Sequence, residues 1–241
     1  MLTKTSAIVL RSMKYSESKM IIDLLTQTEG RVSVIVNVPQ SSKGRVKKQF
    51  FQPMTILDVE LDIRPKAQLQ KLRDVRIAIP YMSLTTDPRK LSVALFLAEF
   101  LYYATRGERD NPLLFEYISS GLQWLDTCTE QFANFHLVFM MRLTRFIGFY
   151  PNTEDYHDGD YFDLRASCFS RFAPLHSDYL APEDAMLIQP LMRMNYESMH
   201  LFHLSHQQRN RMTEIILRYY QLHVPSFGEL QSLDVVRELW E

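Results

Sequence analysis

Arg31-Val32-Ser33-Val34-Ile35-Val36 sets its valines on alternate positions, and Ile56-Leu57-Asp58-Val59-Glu60-Leu61-Asp62-Ile63 repeats the pattern with acids on the opposite face. Alternation of period two predicts half-buried strands. Between them runs Ser41-Ser42-Lys43-Gly44-Arg45-Val46-Lys47-Lys48-Gln49-Phe50-Phe51, cations followed by two adjacent rings. Strands on both sides would hold that loop at the rim of a small sheet. Cations neutralise phosphates at any sequence and flat rings stack on unpaired bases, so the loop has the chemistry of a nucleic-acid surface. The plainer account is a solvated hairpin tip whose lysines keep sheet edges from pairing.

Outward from this stretch, Ala7-Ile8-Val9-Leu10, Met20 to Thr26, and Leu69, Leu72, Val75 and Ile77 supply further strand signals. The polar turn Lys14-Tyr15-Ser16-Glu17-Ser18 and the tight turn Glu29-Gly30 separate them. Five short strands with turns between them predict a small antiparallel barrel over residues 1–80. After Pro80 the period becomes helical. Asp87-Pro88 and Asn111-Pro112 are each an N-cap followed by proline at the first helical position. Phe135 to Phe149 is apolar nearly all round, as in a buried helix, with Arg142 and Arg145 as exceptions. Pro182-Glu183-Asp184 starts another helix, Ser205-His206-Gln207-Gln208 has capping-box spacing, and Ser232 caps a terminal helix through Leu239. The expectation is an α+β chain of two domains: the barrel, then an all-α helical domain over 81–241 with an irregular insert at 152–181.

The 241 residues carry a net charge of −1, but the charge is unevenly placed. Residues 1–80 hold 14 Lys or Arg against 7 Asp or Glu, a balance of +7, which leaves the remainder at −8. Such asymmetry predicts a cationic module joined to an anionic one. Cys128 and Cys168 give neither a disulfide framework nor a paired Cys-x-x-Cys metal site. Lys4, Arg11 and Lys14 interrupt any signal-type apolar core, and no run approaches the roughly 18 apolar residues of a membrane span. The expected setting is cytoplasmic, with no membrane partner.

Catalytic patterns are missing. The chain has 7 glycines and no Gly-rich phosphate loop, nucleophile elbow or His-Glu-x-x-His pair. His200, His203 and His206 are spaced by three but straddle a helix start and have no acidic or cysteine partner at ligand spacing. Asp155, Asp158, Asp160 and Asp163 lack the order of a calcium loop, and Cys168, His157 and His176 fall short of a ligand set. A non-enzyme without a cofactor or metal is expected. Binding chemistry is better represented: Arg11, Lys14, Lys19, Arg31, Lys71, Arg73 and Arg76 join the loop cations, and Tyr15 and Phe51 are candidates for base stacking.

The order Ala7-Ile8-Val9-Leu10, Tyr15-x-Glu17-Ser18, Leu25-Thr26-x-x-x-Gly30-Arg31 and Gln52-Pro53 resembles the N-terminus of the bacterial DNA repair and recombination RecO family. Leu143-x-x-Phe146-Ile147-Gly148-Phe149-x-Pro151, Tyr219-Tyr220-x-x-His223 and Ser232-Leu233 are similar to its helical half. The resemblance implies an oligonucleotide-binding (OB) barrel, binding of single- and double-stranded DNA, and annealing of complementary strands. It also implies work with RecR in gap repair, displacing single-strand-binding protein so that RecA can load. Many members bind zinc through four cysteines in the insert; Asn152 to Ala181 holds Cys168 alone, so no zinc is expected.

Phosphate contacts are accordingly expected at Lys43, Arg45, Lys47 and Lys48, with Arg31, Lys71 and Arg73 as further contacts. Arg142 and Arg145 are candidates to receive the acidic C-terminal tail of single-strand-binding protein, against a structural ion pair as the other account. A nucleoid-associated mediator is the leading expectation. The alternative is an OB-fold adaptor that binds only protein.

Overall fold

The computed structural model describes residues 1–38 and 47–239. It contains two compact units, Met1–Thr127 with Leu230–Val236, and Cys128–Glu229 with Arg237–Glu241.

In the first unit β1 (Leu2–Lys14), β2 (Lys19–Thr26), β3 (Gly30–Asn37), β4 (Ile56–Asp62) and β5 (Gln70–Ile79) close into a barrel of order β1-β2-β3-β5-β4. Four of its neighbouring pairs are antiparallel, but β3 and β5 run parallel. The expected five-stranded barrel is thus present with one parallel seam, and the reason for that seam is parity. Directions cannot alternate around a closed ring of five strands, so at least one seam must be parallel. The period-two signal survives closure: Val32, Val34 and Val36 face the core with Val9, Ile22, Leu24, Leu57, Val59 and Leu61.

One end of the barrel is filled by a 3₁₀ turn, Lys48–Phe51, which buries Phe51 to 2% exposure and packs Phe50 against the same core. The β2–β3 hairpin shows why Thr26-x-x-x-Gly30-Arg31 is spaced as it is. The Thr26 hydroxyl donates to the Gly30 carbonyl at 2.8 Å and accepts the Glu29 N–H at 3.0 Å. Gly30 sits at φ +63°, where a side chain is disfavoured.

Two helices belong to the same unit, α1 (Pro88–Ala104), which packs on β1, and α2 (Pro112–Thr127). Asp87 caps α1 as expected, accepting the N–H of Arg89 at 2.8 Å. Asp126, near the end of α2, accepts the N–H groups of Met82, Ser83 and Leu84 at 2.9, 2.8 and 2.7 Å. Burial pushes that carboxyl up, but the three N–H groups and the Lys90 charge outweigh it and hold the carboxyl below its usual range.

In the second unit α3 (Phe135–Ile147) is buried along nearly its whole surface, as its apolar circumference requires, and ends at left-handed Gly148. It packs against α5 (Ile188–Arg193) and α6 (His206–His223), with the short α4 (Pro182–Ala185) before them. The Ser205 capping box is present in full. The terminal helix α7 spans Leu233–Glu238, and its residues up to Val236 belong to the first unit.

The insert expected to be irregular holds a small sheet, β7 (Cys168–Ser170), β6 (Tyr161–Asp163) and β8 (Tyr179–Leu180), in that spatial order. Strands of two or three residues are too short to leave an alternation signal. Tyr219-Tyr220-x-x-His223 on α6 ties this region down. The Tyr219 and Tyr220 hydroxyls donate to the carbonyls of Phe149 and Met140 at 2.5 and 2.7 Å, and His223 Nε2–H donates to that of Leu164 at 2.7 Å. Among the described residues no helix is long and apolar enough to cross a membrane.

Candidate nucleic-acid interface

The turn after β1, the end of β3 and the 3₁₀ turn enclose a groove of about 940 Å³ on the barrel. Lys14, Lys19, Lys47 and Lys48 line it, with Glu17 as the acid among its lining residues. Lys19 also lines a second groove, with Lys71, Arg73 and Asp74, along the parallel β3–β5 seam. The two therefore run on from one another through Lys19, with Tyr15, 64% exposed, in the turn beside them.

Charges on the barrel are sorted. The acids of β4 each hold a cation: Lys4 meets Glu60 at 3.6 Å, Arg76 meets Asp58 at 2.9 Å, and Arg64 and Arg73 share Asp62 at 3.4 and 2.7 Å. The Arg73 hydrogen bond holds the Asp62 carboxyl below its ordinary value. Among the described residues, Lys14, Lys19, Lys47, Lys48 and Lys71 make no ion pair with a carboxylate. The lysines lining the grooves are thus left open to an outside anion. An isolated ion pair at the surface would add little to stability, so leaving these charges unpaired costs the fold little.

Individual residues expected in the site divide sharply. Lys43 and Arg45 lie outside the described residues; Lys47 and Lys48 are exposed and share the larger groove. Lys71 and Arg73 reach the second groove, Arg73 with Asp62 already attached. Arg31 is turned away to α1, its guanidinium 4.0 Å from the Tyr102 ring centroid. Phe51 needs correction as a stacking residue, because a ring only 2% exposed has no face left for a base. Tyr15 keeps an open ring.

Arg142 is half-buried, its Nε–H donating to the Met194 carbonyl at 3.0 Å, whereas Arg145 is exposed beside the Tyr150 ring, 5.7 Å away. Lys14 and Lys19 are visible in the sequence as cations near a turn. Nothing local shows that the 3₁₀ turn brings Lys47 and Lys48 to them.

The insert does not offer the thiolates of a structural zinc. Cys168 is its sole cysteine, and among the described residues no group of three or more His, Cys, Asp or Glu is placed to hold a metal. His176 Nε2 lies 3.2 Å from Asp163 instead, while Arg165 Nε–H donates to Asp178 at 2.7 Å and Arg218 lies 3.4 Å from the same carboxylate.

Two family models cover the chain, Recombination protein O N terminal over residues 1–81 and Recombination protein O C terminal over 85–233. The proteins named DNA repair protein RecO from Phocaeicola vulgatus and Bacteroides fragilis are each 48% identical to it, with 100% of both chains covered. The protein of the same name from Azobacteroides pseudotrichonymphae is 34% identical, again over 100% of both chains.

Proposed function

We propose that this chain, which belongs to the RecO family of DNA repair proteins, grips DNA through the lysine-lined grooves of its barrel and anneals complementary strands without chemistry on the DNA. Its general role is in DNA repair and recombination. The observation that carries this reading is the sorting of charge: lysines without a carboxylate partner line the grooves, while Lys4, Arg64, Arg73 and Arg76 are engaged by Glu60, Asp62 and Asp58. A strand held by its phosphates keeps its base edges free to pair, which is what annealing requires.

The rest of the proposed role is the one that the resemblance to the family implies. The protein works with RecR at gaps, handles DNA coated by single-strand-binding protein, and so helps RecA to load. Of the two α3 cations, the exposed Arg145 is the one open to an acidic tail, since Arg142 is engaged by the Met194 carbonyl.

The test replaces Lys14, Lys19, Lys47 and Lys48 with alanine and measures single-strand affinity and annealing rate across salt. Each lost phosphate contact should make the slope of log affinity against log salt shallower by about 0.7 on single strands, so a loss of roughly 3 is expected with slower annealing. An unchanged slope would sink the groove assignment. A native protein with no affinity for DNA at moderate salt would favour an adaptor that binds only protein.

A further inference from the structure

Three guanidinium groups converge on one ring within the barrel-bearing unit. Arg31 of β3 lies 4.0 Å from the Tyr102 ring centroid, Arg11 of β1 lies 5.1 Å away, and Arg106, just beyond α1, 5.8 Å away. Arg31 also donates to the Tyr102 carbonyl at 2.5 Å. Burial pushes the Tyr102 hydroxyl up, but the three arginines beside it outweigh that and leave it below the usual tyrosine value.

An aromatic face attracts each cation by about 0.5–2 kcal/mol but neutralises none of them, and like charges this close repel. Among the described residues, none of the three arginines makes an ion pair with a carboxylate. Three acids of the neighbourhood are engaged elsewhere, Glu108 by the Asn111 side-chain amide at 3.1 Å. Glu99 accepts the N–H groups of Gln231 and Ser232 at 3.0 and 2.9 Å, and Asp23, opposite Arg11 across the β1–β2 ladder, accepts the Ser33 hydroxyl at 2.5 Å. The cluster thus presents several N–H donors and uncompensated positive charge, which is what an oxyanion with several acceptor oxygens requires.

Its position says which oxyanion. Arg11 and Tyr102 line a cavity of about 290 Å³ together with Ser12 and Pro53, and Ser12 and Pro53 also line the lysine groove. A backbone leaving that groove past Ser12 meets Arg11 and the Tyr102 ring next, and Arg31 and Arg106 lie on the same ring. We propose that Arg11, Arg31 and Arg106, gathered on Tyr102, form a phosphodiester clamp at the end of the lysine groove and take a backbone phosphate of the strand held there. This rests on the DNA-gripping reading above and adds a site to it.

The experiment compares labelled single-stranded DNA binding, across salt, for the native protein, the Arg11→Ala/Arg106→Ala variant and the lysine-groove variant. The double arginine variant should bind roughly fivefold more weakly, with a slope shallower by about 0.7 to 1.4. Arg106→Lys in an Arg11 background should keep the slope and lose part of the affinity, because an ammonium keeps charge without the planar fork. Arg11 and Arg106 are exposed, so melting should stay within a few degrees of native; should the double variant fail to fold, Arg106→Gln alone carries the test. Native-like binding and slope in the arginine variants would overturn the clamp and leave the groove reading standing. No DNA binding by the native protein would overturn both. If an oligo-glutamate peptide binds the native protein but not the arginine variant, while DNA binding is untouched, the cluster is a docking point for an acidic protein and the clamp is overturned.

Discussion

Gly30 and Glu108 meet backbone to backbone: a Cβ built on Gly30 would lie 2.6 Å from the Glu108 carbonyl oxygen and 2.8 Å from the Cα of Arg109. The hairpin glycine therefore has two reasons to lack a side chain, its φ of +63° and this approach to the segment beyond α1. Left-handed backbone costs a side chain about 1–2 kcal/mol, and the backbone contact cannot yield cheaply. Gly30→Ala is expected to lose more than about 2 kcal/mol in denaturant unfolding, whereas Gly107→Ala, which meets nothing within 4 Å, should change stability by less than about 0.5 kcal/mol. Equal effects at the two sites would refute the close-approach argument.

Asp126 is the acceptor for three successive backbone N–H groups of Met82, Ser83 and Leu84. Asp126→Ala leaves them without their acceptor. With each buried unsatisfied donor costing about 1–3 kcal/mol, a loss of roughly 3–5 kcal/mol is expected, read from the urea midpoint. A loss under about 1 kcal/mol would show that solvent reaches these groups.

His136 is fully enclosed, with Nε2 3.2 Å from the Thr213 hydroxyl, and burial, assisted by the Arg209 charge, pushes its pKa down to about 3. The folded value lies below the unfolded one, so the unfolded chain takes up the proton first as pH falls. The stability that neutral His136 contributes is complete above about pH 6.5 and drains away between there and about pH 3. Between pH 7 and 5 this one group should cost about 2 kcal/mol. His136→Gln should flatten that part of the stability–pH curve; an identical pH slope in both proteins would exclude His136 as its source.

Tyr15 and Phe51 should separate binding from folding. Tyr15 is 64% exposed, so Tyr15→Ala is expected to weaken single-strand binding by about 1–3 kcal/mol with an unchanged melting temperature. Phe51→Ala should instead cost about 3–5 kcal/mol of stability. The assignment fails if the two variants trade these effects.

Features that depend on residues close together along the chain are legible in the amino-acid order alone. The caps at Asp87 and Ser205, the core-facing valines of β3 and the end of α3 at Gly148 all rest on contacts or spacings of a few residues. What stays hidden depends on distant pairing. Arg31 reads as one more free cation, and only its hydrogen bond to Tyr102, 71 positions away, shows that it belongs to an arginine cluster. Arg73 reads as available until Asp62 of the neighbouring strand pairs with it. Phe51 beside Phe50 gives no sign which ring enters the barrel, because burial in a turn has no period to read.

The parallel seam has a consequence for how the barrel opens. Its register runs over only Val34–Gln70 and Ile35–Lys71, whereas the other four strand pairs each run over seven or eight partners. A ring of unequal joints parts at the shortest one, so amide protons along this seam should exchange with solvent before those elsewhere in the barrel. That joint lies beneath Lys19, Lys71 and Arg73. A polyanion laid across it would act as a splint, and slowed exchange on adding DNA should appear first at the barrel's least-sutured edge.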